Sequence, residues 1–323
     1  MLQTLSRSPR LAPSQAAVLA LAAAAAATAV WVRERARQAE HDHPPDGRFI
    51  HIDGVRLHYL LREESHGTPV VLLHGNALTH ADFLASGLVE RLARHHTVLA
   101  FDRPGFGHST RPPDRHWTPR AQAGLLQPAI AALGLHRPVV LGHSLGALVA
   151  LAMALEYPAS LPGLVLLGGY YYPSVRLDSL LVAPVAVPVL GDVLRHTAAA
   201  VSARLLLERM MRRLFAPHPV PPGFFATLPR ELLLRPSQLR ANAEDGACMV
   251  SEARALCERY ARLKLPVTLM AGAEDRLVDR EAQTGRLHEE LAGSELLTVP
   301  GAGHMLHYAA PDAVAQAVDR MAG

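Results

Sequence analysis

The chain has 323 residues, half of them hydrophobic, and a formal net charge of +3 from 32 basic and 29 acidic side chains. That length carries one large core with room for a smaller second unit. The basic residues are scattered arginines with a single lysine, Lys264, so there is no basic stripe with interleaved aromatics and nucleic-acid binding is excluded.

The N-terminus differs in composition from the rest. AAVLALAAAAAATAVWV, Ala16 to Val32, carries no charge; Arg7 and Arg10 precede it, Arg33, Arg35 and Arg37 follow it, and Trp31 stands where an interfacial anchor belongs. The run is at the short end of a bilayer span. It is longer than a signal-peptide core, and RERAR follows it like a stop-transfer flank, so an uncleaved, single-pass membrane anchor is expected. A cleaved signal peptide, with Ala27-Thr28-Ala29 as the peptidase site, and a soluble leader are the alternatives. Arginines on both sides leave the orientation open. QAEHDHPPDGR, Gln38 to Arg48, is polar and proline-bearing and reads as a linker, its two histidines solvated and not metal-binding. Residues 1–47 are thus assigned to anchor and linker.

The globular part begins with RFIHIDGVRLHYLLRE, two alternating segments joined by Asp53-Gly54, a hairpin signal. PVVLLHG, HTVLAFD, PVVLGH and LVLLGG follow as short apolar strands with helical segments between them. Such alternation predicts a mostly parallel α/β sheet with helices on both faces. After Gly169 the pattern changes to roughly ninety residues rich in Leu, Pro, Arg and Met, helical in character. Cys248 and Cys257 fall there and form neither a disulfide framework nor a metal-ligand spacing. The alternation resumes with PVTLMAG, a helix, ELLTVP and a final helix from about Pro311. The simplest organisation is a core built from residues 48–169 and 263–323, with residues 170–262 inserted as a helical cap over the carboxyl edge of the sheet.

One serine stands out. VVLGHSLGALVALAMALE, Val139 to Glu156, passes from strand to helix at Ser144 with almost no loop, and Gly142 and Gly146 flank it as Gly-x-Ser-x-Gly. The glycines remove side chains that would clash in so sharp a turn, and the helix N-terminus behind the serine favours negative charge. An acyl-transfer site on Ser144 needs a base, a group to orient it and two oxyanion donors. His304 lies in the glycine-rich turn after the last strand and is the candidate base; His307, one helical turn on, is expected to pack or face solvent. Asp275, three residues past Gly272, is the candidate orienting acid, whereas Asp279 suits a helix cap and Glu274 points the other way. The backbone amides of Leu145 and Asn76 are the candidate oxyanion donors.

LLHGNA, FDRPGFGHST, GHSLG, AGAEDRLVD and PGAGHMLHYAAP stand in order, and on these the chain from about Arg48 to Gly323 resembles the α/β-hydrolase superfamily. The resemblance implies a serine hydrolase acting through an acyl-enzyme, with the order Ser144, Asp275, His304 and no metal or organic cofactor. Families with an aspartate nucleophile, the haloalkane dehalogenases and epoxide hydrolases, are excluded by Ser144 itself. The apolar insertion suits the ester of a lipophilic small molecule, and an anchor beside such a site suits a monoacylglycerol-type lipid. Three alternatives share the motifs. A hydrolase of carbon–carbon bonds in dienoates would want a pocket arginine, for which Arg176 and Arg235 are candidates. A cofactor-free haloperoxidase is the second. An anchored, non-catalytic binding protein is the third, and the intact set of three residues speaks against it.

Overall fold

The computed structural model describes residues 12–63, 67–174 and 182–323. Among them, eight strands form one sheet: β1 Arg48–Ile52, β2 Val55–Arg62, β3 Val70–Leu73, β4 Val98–Phe101, β5 Val139–His143, β6 Leu164–Leu167, β7 Val267–Gly272 and β8 Glu295–Val299. Their order is β1-β2-β4-β3-β5-β6-β7-β8. β1 and β2 form the expected hairpin, with Asp53 and Gly54 at φ 48 and 76, the left-handed pair that a tight two-residue turn demands. β2 also runs antiparallel to β4, and all further pairs are parallel. The mostly parallel α/β sheet read from the strand-helix alternation is borne out.

Helices cover both faces because β3 to β7 are apolar on both sides. On one face lie α4 Pro119–Ala132 and α5 Leu145–Glu156, joined in one core by Val71, Leu73, Leu126, Ile130, Leu148 and Leu166. α5 is apolar on all sides and is buried from Leu145 to Ala154. The short helices α2 Ala81–Ala85 and α3 Leu88–Ala93 precede β4, and α3 helps to cover the opposite face, where Leu72, Leu92, Leu141, Val165 and Val318 pack.

Between β6 and β7 the described chain is helical: α6 Leu190–His196, α7 Ala198–Phe215, α8 Phe224–Thr227, α9 Arg230–Leu233 and α10 Pro236–Cys257. Leu207, Met211, Phe215, Phe224 and Leu228 form a separate apolar cluster here, joined by Met305. After β7 come α11 Arg286–Glu290, then β8, α12 Leu306–Ala309 and α13 Pro311–Ala322.

α1 runs unbroken from Pro13 to Asp42 and is long and apolar enough to cross a membrane. Residues 38–42, expected in the linker, belong to this helix, which leaves only 43–47 as a connection. Gln38, Ala39 and Glu40 are good helix formers, and Pro44 and Pro45 halt the helix after them. Val32 and Ala39 are the buried residues of α1, which rests on α6 and α9. Arg35 pairs with Glu231 at 3.0 Å, Glu40 with Arg235 at 2.8 Å, and the Arg204 guanidinium lies 4.9 Å above the Trp31 ring.

Candidate active site

Ser144 joins β5 directly to α5 with φ 54 and ψ −118, a strained conformation for a residue with a side chain. Two contacts enforce it. A Cβ on Gly142 would come within 2.5 Å of the Gly146 carbonyl, and one on Gly146 would run into the Leu73 carbonyl at the end of β3. Both glycines are therefore required by close backbone approach. The Ser144 amide donates to the Leu167 carbonyl at 2.9 Å, which pins the elbow to β6.

The loop after β3 closes one side. A Cβ on Gly75 would stand 3.1 Å from the Ser144 Cβ, so this backbone passes directly over the serine. Asn76 follows, its side-chain amide donating to the Asn242 carbonyl of α10 at 3.2 Å. Leu145 is the first residue of α5, so its N–H has no partner inside the helix.

The loops after β7 and β8 close the other side. His304 is 3% exposed, and its Nδ1–H donates to Asp275 Oδ2 at 2.8 Å. The pair lies against Gly168, where a Cβ would be 3.4 Å from His304 Nδ1 and 3.5 Å from Asp275 Oδ2. Burial alone would raise the Asp275 carboxyl. The charge and hydrogen bond of His304, with the amides of Leu277 and Val278, hold it below the usual carboxylate range. Asp279 caps the following turn by accepting from the Ala282 amide at 2.8 Å, and Glu274 is exposed. The three residues singled out in sequence thus follow the ends of β5, β7 and β8 at one edge of the sheet, with Asp275 and His304 in direct contact.

Several participants were not legible in the sequence. His143, beside the serine, is fully buried, and its Nε2–H donates to the His304 carbonyl at 3.1 Å. Burial, then the neighbouring His307 and His304, hold its pKa well below the ordinary histidine value, so it stays neutral. His307 packs, as expected, with its Nε2–H donating to Asp82 Oδ2 at 2.8 Å, and its ring centroid is 4.6 Å from that of His143. Arg103 is completely buried. It donates to the His74 carbonyl at 2.9 Å, the Gly75 carbonyl at 3.2 Å, Gln122 Oε1 at 2.9 Å and Asp245 Oδ2 at 2.6 Å. It therefore holds the loop over Ser144 and the long helix α10 with one guanidinium.

Arg235, a candidate for a pocket carboxylate, is committed elsewhere: it donates to Leu232, Glu40 and the Gly107 carbonyl. Arg176 lies outside the described residues. A cavity of about 260 Å³ is lined by Phe215, Pro219, Gly303, Met305 and Tyr308, and like the next it includes none of Ser144, Asp275 and His304. A larger one, about 640 Å³, is lined by Arg56, His108, Arg195, Arg235 and Arg240 and includes none of Ser144, Asp275 and His304.

The profile described as alpha/beta hydrolase fold matches residues 68–311. The chain is 26% identical over 247 residues to a 2-hydroxymuconate semialdehyde hydrolase of Pseudomonas putida, covering 76% of this chain and 83% of that enzyme. It is 32% identical to a 2-hydroxy-6-oxo-2,4-heptadienoate hydrolase, also of Pseudomonas putida. That match spans 125 residues, 38% of this chain and 44% of the relative. In fold it is similar to a crystal structure of a bacterial membrane phospholipase A, with a TM-score of 0.64 at 22% identity over 95% of this chain and 96% of the other.

Proposed function

This chain belongs to the alpha/beta hydrolase fold family, and on that premise we propose that it is a serine esterase. The observation that carries the reading is the strained Ser144 elbow beside the 2.8 Å His304–Asp275 pair. His304 Nε2 takes the hydroxyl proton as Ser144 Oγ attacks the ester carbonyl. The amides of Leu145 and Asn76 stabilise the oxyanion, the first helped by the N-terminus of α5. The His304 proton goes to the departing alcohol, and a water deprotonated by His304 then cleaves the acyl-enzyme. Asp275, ionised across the working range, keeps the remaining imidazole proton on Nδ1 and balances the transient imidazolium.

We assign a lipophilic ester, of the monoacylglycerol type, as the substrate class, and α1 as a single-pass anchor. The cavity walled by Phe215, Met305 and Tyr308 has side chains that suit an acyl chain. Val193 and Leu205 are 57% and 78% exposed on α6 and α7, and α6 borders residues Ala25, Ala29 and Arg33 of α1. Apolar side chains left in the open next to a membrane-length helix favour a lipid-borne substrate.

A second reading, carbon–carbon bond hydrolysis, is favoured by the likeness to the two Pseudomonas putida enzymes. The commitment of Arg235 to Glu40 weighs against it. The test is labelling of the full-length protein with a fluorophosphonate, followed by rates on p-nitrophenyl acyl esters and on a 2-hydroxy-6-oxo-dienoate. The expected outcome is one label, lost in Ser144→Ala, and ester turnover exceeding dienoate turnover. A reversed rate order would select the second reading; absence of labelling would remove both.

A further inference from the structure

A second constellation of histidines and carboxylates lies outside the site just described, at the junction of the α1 connection, the core and the inserted helices. His58 of β2 and His80 of the loop before α2 are 0% and 4% exposed. Both turn Nδ1–H toward one carboxylate, that of buried Asp102 after β4: His58 donates to Oδ2 at 2.8 Å and His80 to Oδ1 at 2.9 Å. Asp102 also accepts the amides of His80 and His108, and a Cβ on Gly107 would overlap it, so its position is fixed.

With both Nδ1 atoms tied to Asp102, both Nε2 atoms face away from it and converge on a third group. Asp46 Oδ1, in the connection after α1, is 3.1 Å from His80 Nε2 and 3.8 Å from His58 Nε2. The three donor atoms lie within 4.8 Å of one another. Ligand atoms about 2.0–2.2 Å from a tetrahedral zinc are separated by roughly 3.3–3.5 Å, so modest closure makes these three a face of such a site. Imidazoles oriented through Nδ1 by a buried carboxylate are the usual second layer of zinc sites. A cavity of about 270 Å³, bordered by Asp46, His80 and His108, leaves the fourth position to water.

We propose that Asp46, His58 and His80 bind a divalent transition metal of the zinc class, with Asp102 holding both imidazoles. Two nitrogens and one carboxylate oxygen are a zinc-type donor set, ill suited to magnesium or calcium. Without metal the group has a net charge of −1, from Asp46, Asp102 and a His80 whose two N–H groups each meet a carboxylate. On binding, the His80 Nε2 proton leaves to solvent, the Gly47 amide gives up its hydrogen bond to His58 Nε2, and the two nitrogens and Asp46 take the cation. The charge of the group becomes zero. The metal then joins the connection after α1, strand β2 and the loop leading to α2, fastening α1 to the core independently of the chemistry at Ser144.

The test uses tag-free, full-length protein freed of metal with a chelator and titrated with Co²⁺, then with Zn²⁺. One equivalent of Co²⁺ is expected to give the visible absorption of a four-coordinate site, bleached by one equivalent of Zn²⁺, and Zn²⁺ is expected to raise the melting temperature. Asp46→Asn, a substitution in a half-exposed side chain that leaves folding intact, is expected to weaken Co²⁺ binding at least tenfold and to abolish the Zn²⁺ shift. His58→Gln and His80→Gln are expected to do the same. Unchanged Co²⁺ binding in Asp46→Asn overturns the proposal, as does absence of the spectrum in the unmodified protein. Loss of binding only in the His41→Ala/His43→Ala double variant would place the metal on the exposed end of α1 and overturn it equally.

Discussion

Arg103, two residues past the end of β4, and Asp245, in the middle of α10, form a 2.6 Å ion pair in which neither side chain reaches solvent. Three more guanidinium hydrogens go to the carbonyls of His74 and Gly75 and to Gln122, and the second carboxylate oxygen accepts from Arg111 and Gln122. Each charged group is therefore hydrogen-bonded to neighbours as well as to its partner, the condition under which a buried pair holds together. The pair connects the loop over Ser144 to the inserted helices, so the geometry of the site and the seating of α10 depend on each other.

Asp245→Ala should destabilise the protein by about 3–5 kcal/mol, because it strands a buried arginine, not because an ion pair is intrinsically strong. Urea unfolding measures this directly. A loss below about 0.5 kcal/mol would mean that water reaches Arg103. Replacing Arg103 and Asp245 together by methionine and leucine should recover much of the loss, since no unpaired charge then remains.

Stability should peak near neutrality and fall on both sides, for different histidines. Burial, reinforced by Arg103, lowers the pKa of His74 to about 3, and His143 is likewise held well below 6.5. Unfolded, both take up a proton near 6.5, so the unfolded state binds more protons below that value and stability falls as pH drops from about 6.5 toward 3. Burial alone would also lower His80, but Asp102, helped by Asp46, raises it to about 10. Its contribution is complete below 6.5 and is lost as pH rises from there through 10. Urea titrations of chelator-treated protein from pH 4 to 10 check both limbs. His80→Gln should flatten the alkaline limb and leave the acid limb in place; an unchanged alkaline limb would contradict the double carboxylate clamp.

Full-length protein should sediment with membranes and resist carbonate extraction. Because α1 is anchored to the inserted helices through Arg35–Glu231, Glu40–Arg235 and the Trp31–Arg204 contact, its residues 31–42 should resist protease while residues 13–30 become accessible once lipid or detergent is removed. An intact chain recovered in the soluble fraction would contradict the anchor. A mature N-terminus near Val30 would show a cleaved signal instead.

An acyl chain seated in the cavity walled by Phe215, Met305 and Tyr308 predicts a chain-length preference. Each buried methylene contributes up to ~0.8 kcal/mol, a few-fold in kcat/KM, until the space is filled. Medium acyl chains should therefore surpass acetate, and Phe215→Trp, which narrows the cavity, should move the optimum to shorter chains with little change for acetate. A steady decline in kcat/KM from acetate upward, measured below micelle formation, would remove the lipid reading.

The sequence by itself determined the elements and the residues at their ends. Each parallel strand is a short apolar run, the Asp53-Gly54 pair marks a tight turn, and Gly142 and Gly146 mark backbone too close to α5 and to β3, respectively, for side chains. These are local signals, fixed by backbone sterics and by hydrophobic periodicity within a few residues. The polar composition of residues 38–42 suggests a linker, yet they continue α1, because Gln38, Ala39 and Glu40 are capable helix formers and the stop comes only at the prolines. What only the tertiary structure decided are the pairings across long stretches of chain. Arg103 meets Asp245 across 142 positions, Arg235 meets Glu40 across 195, and His58 meets Asp102 across 44. No periodicity connects such residues, because nothing local constrains a charged side chain until the sheet order has brought its partner near. Burial then makes the choice strict: once water is excluded, an arginine or aspartate must find its counter-charge among the few groups the fold has left within reach.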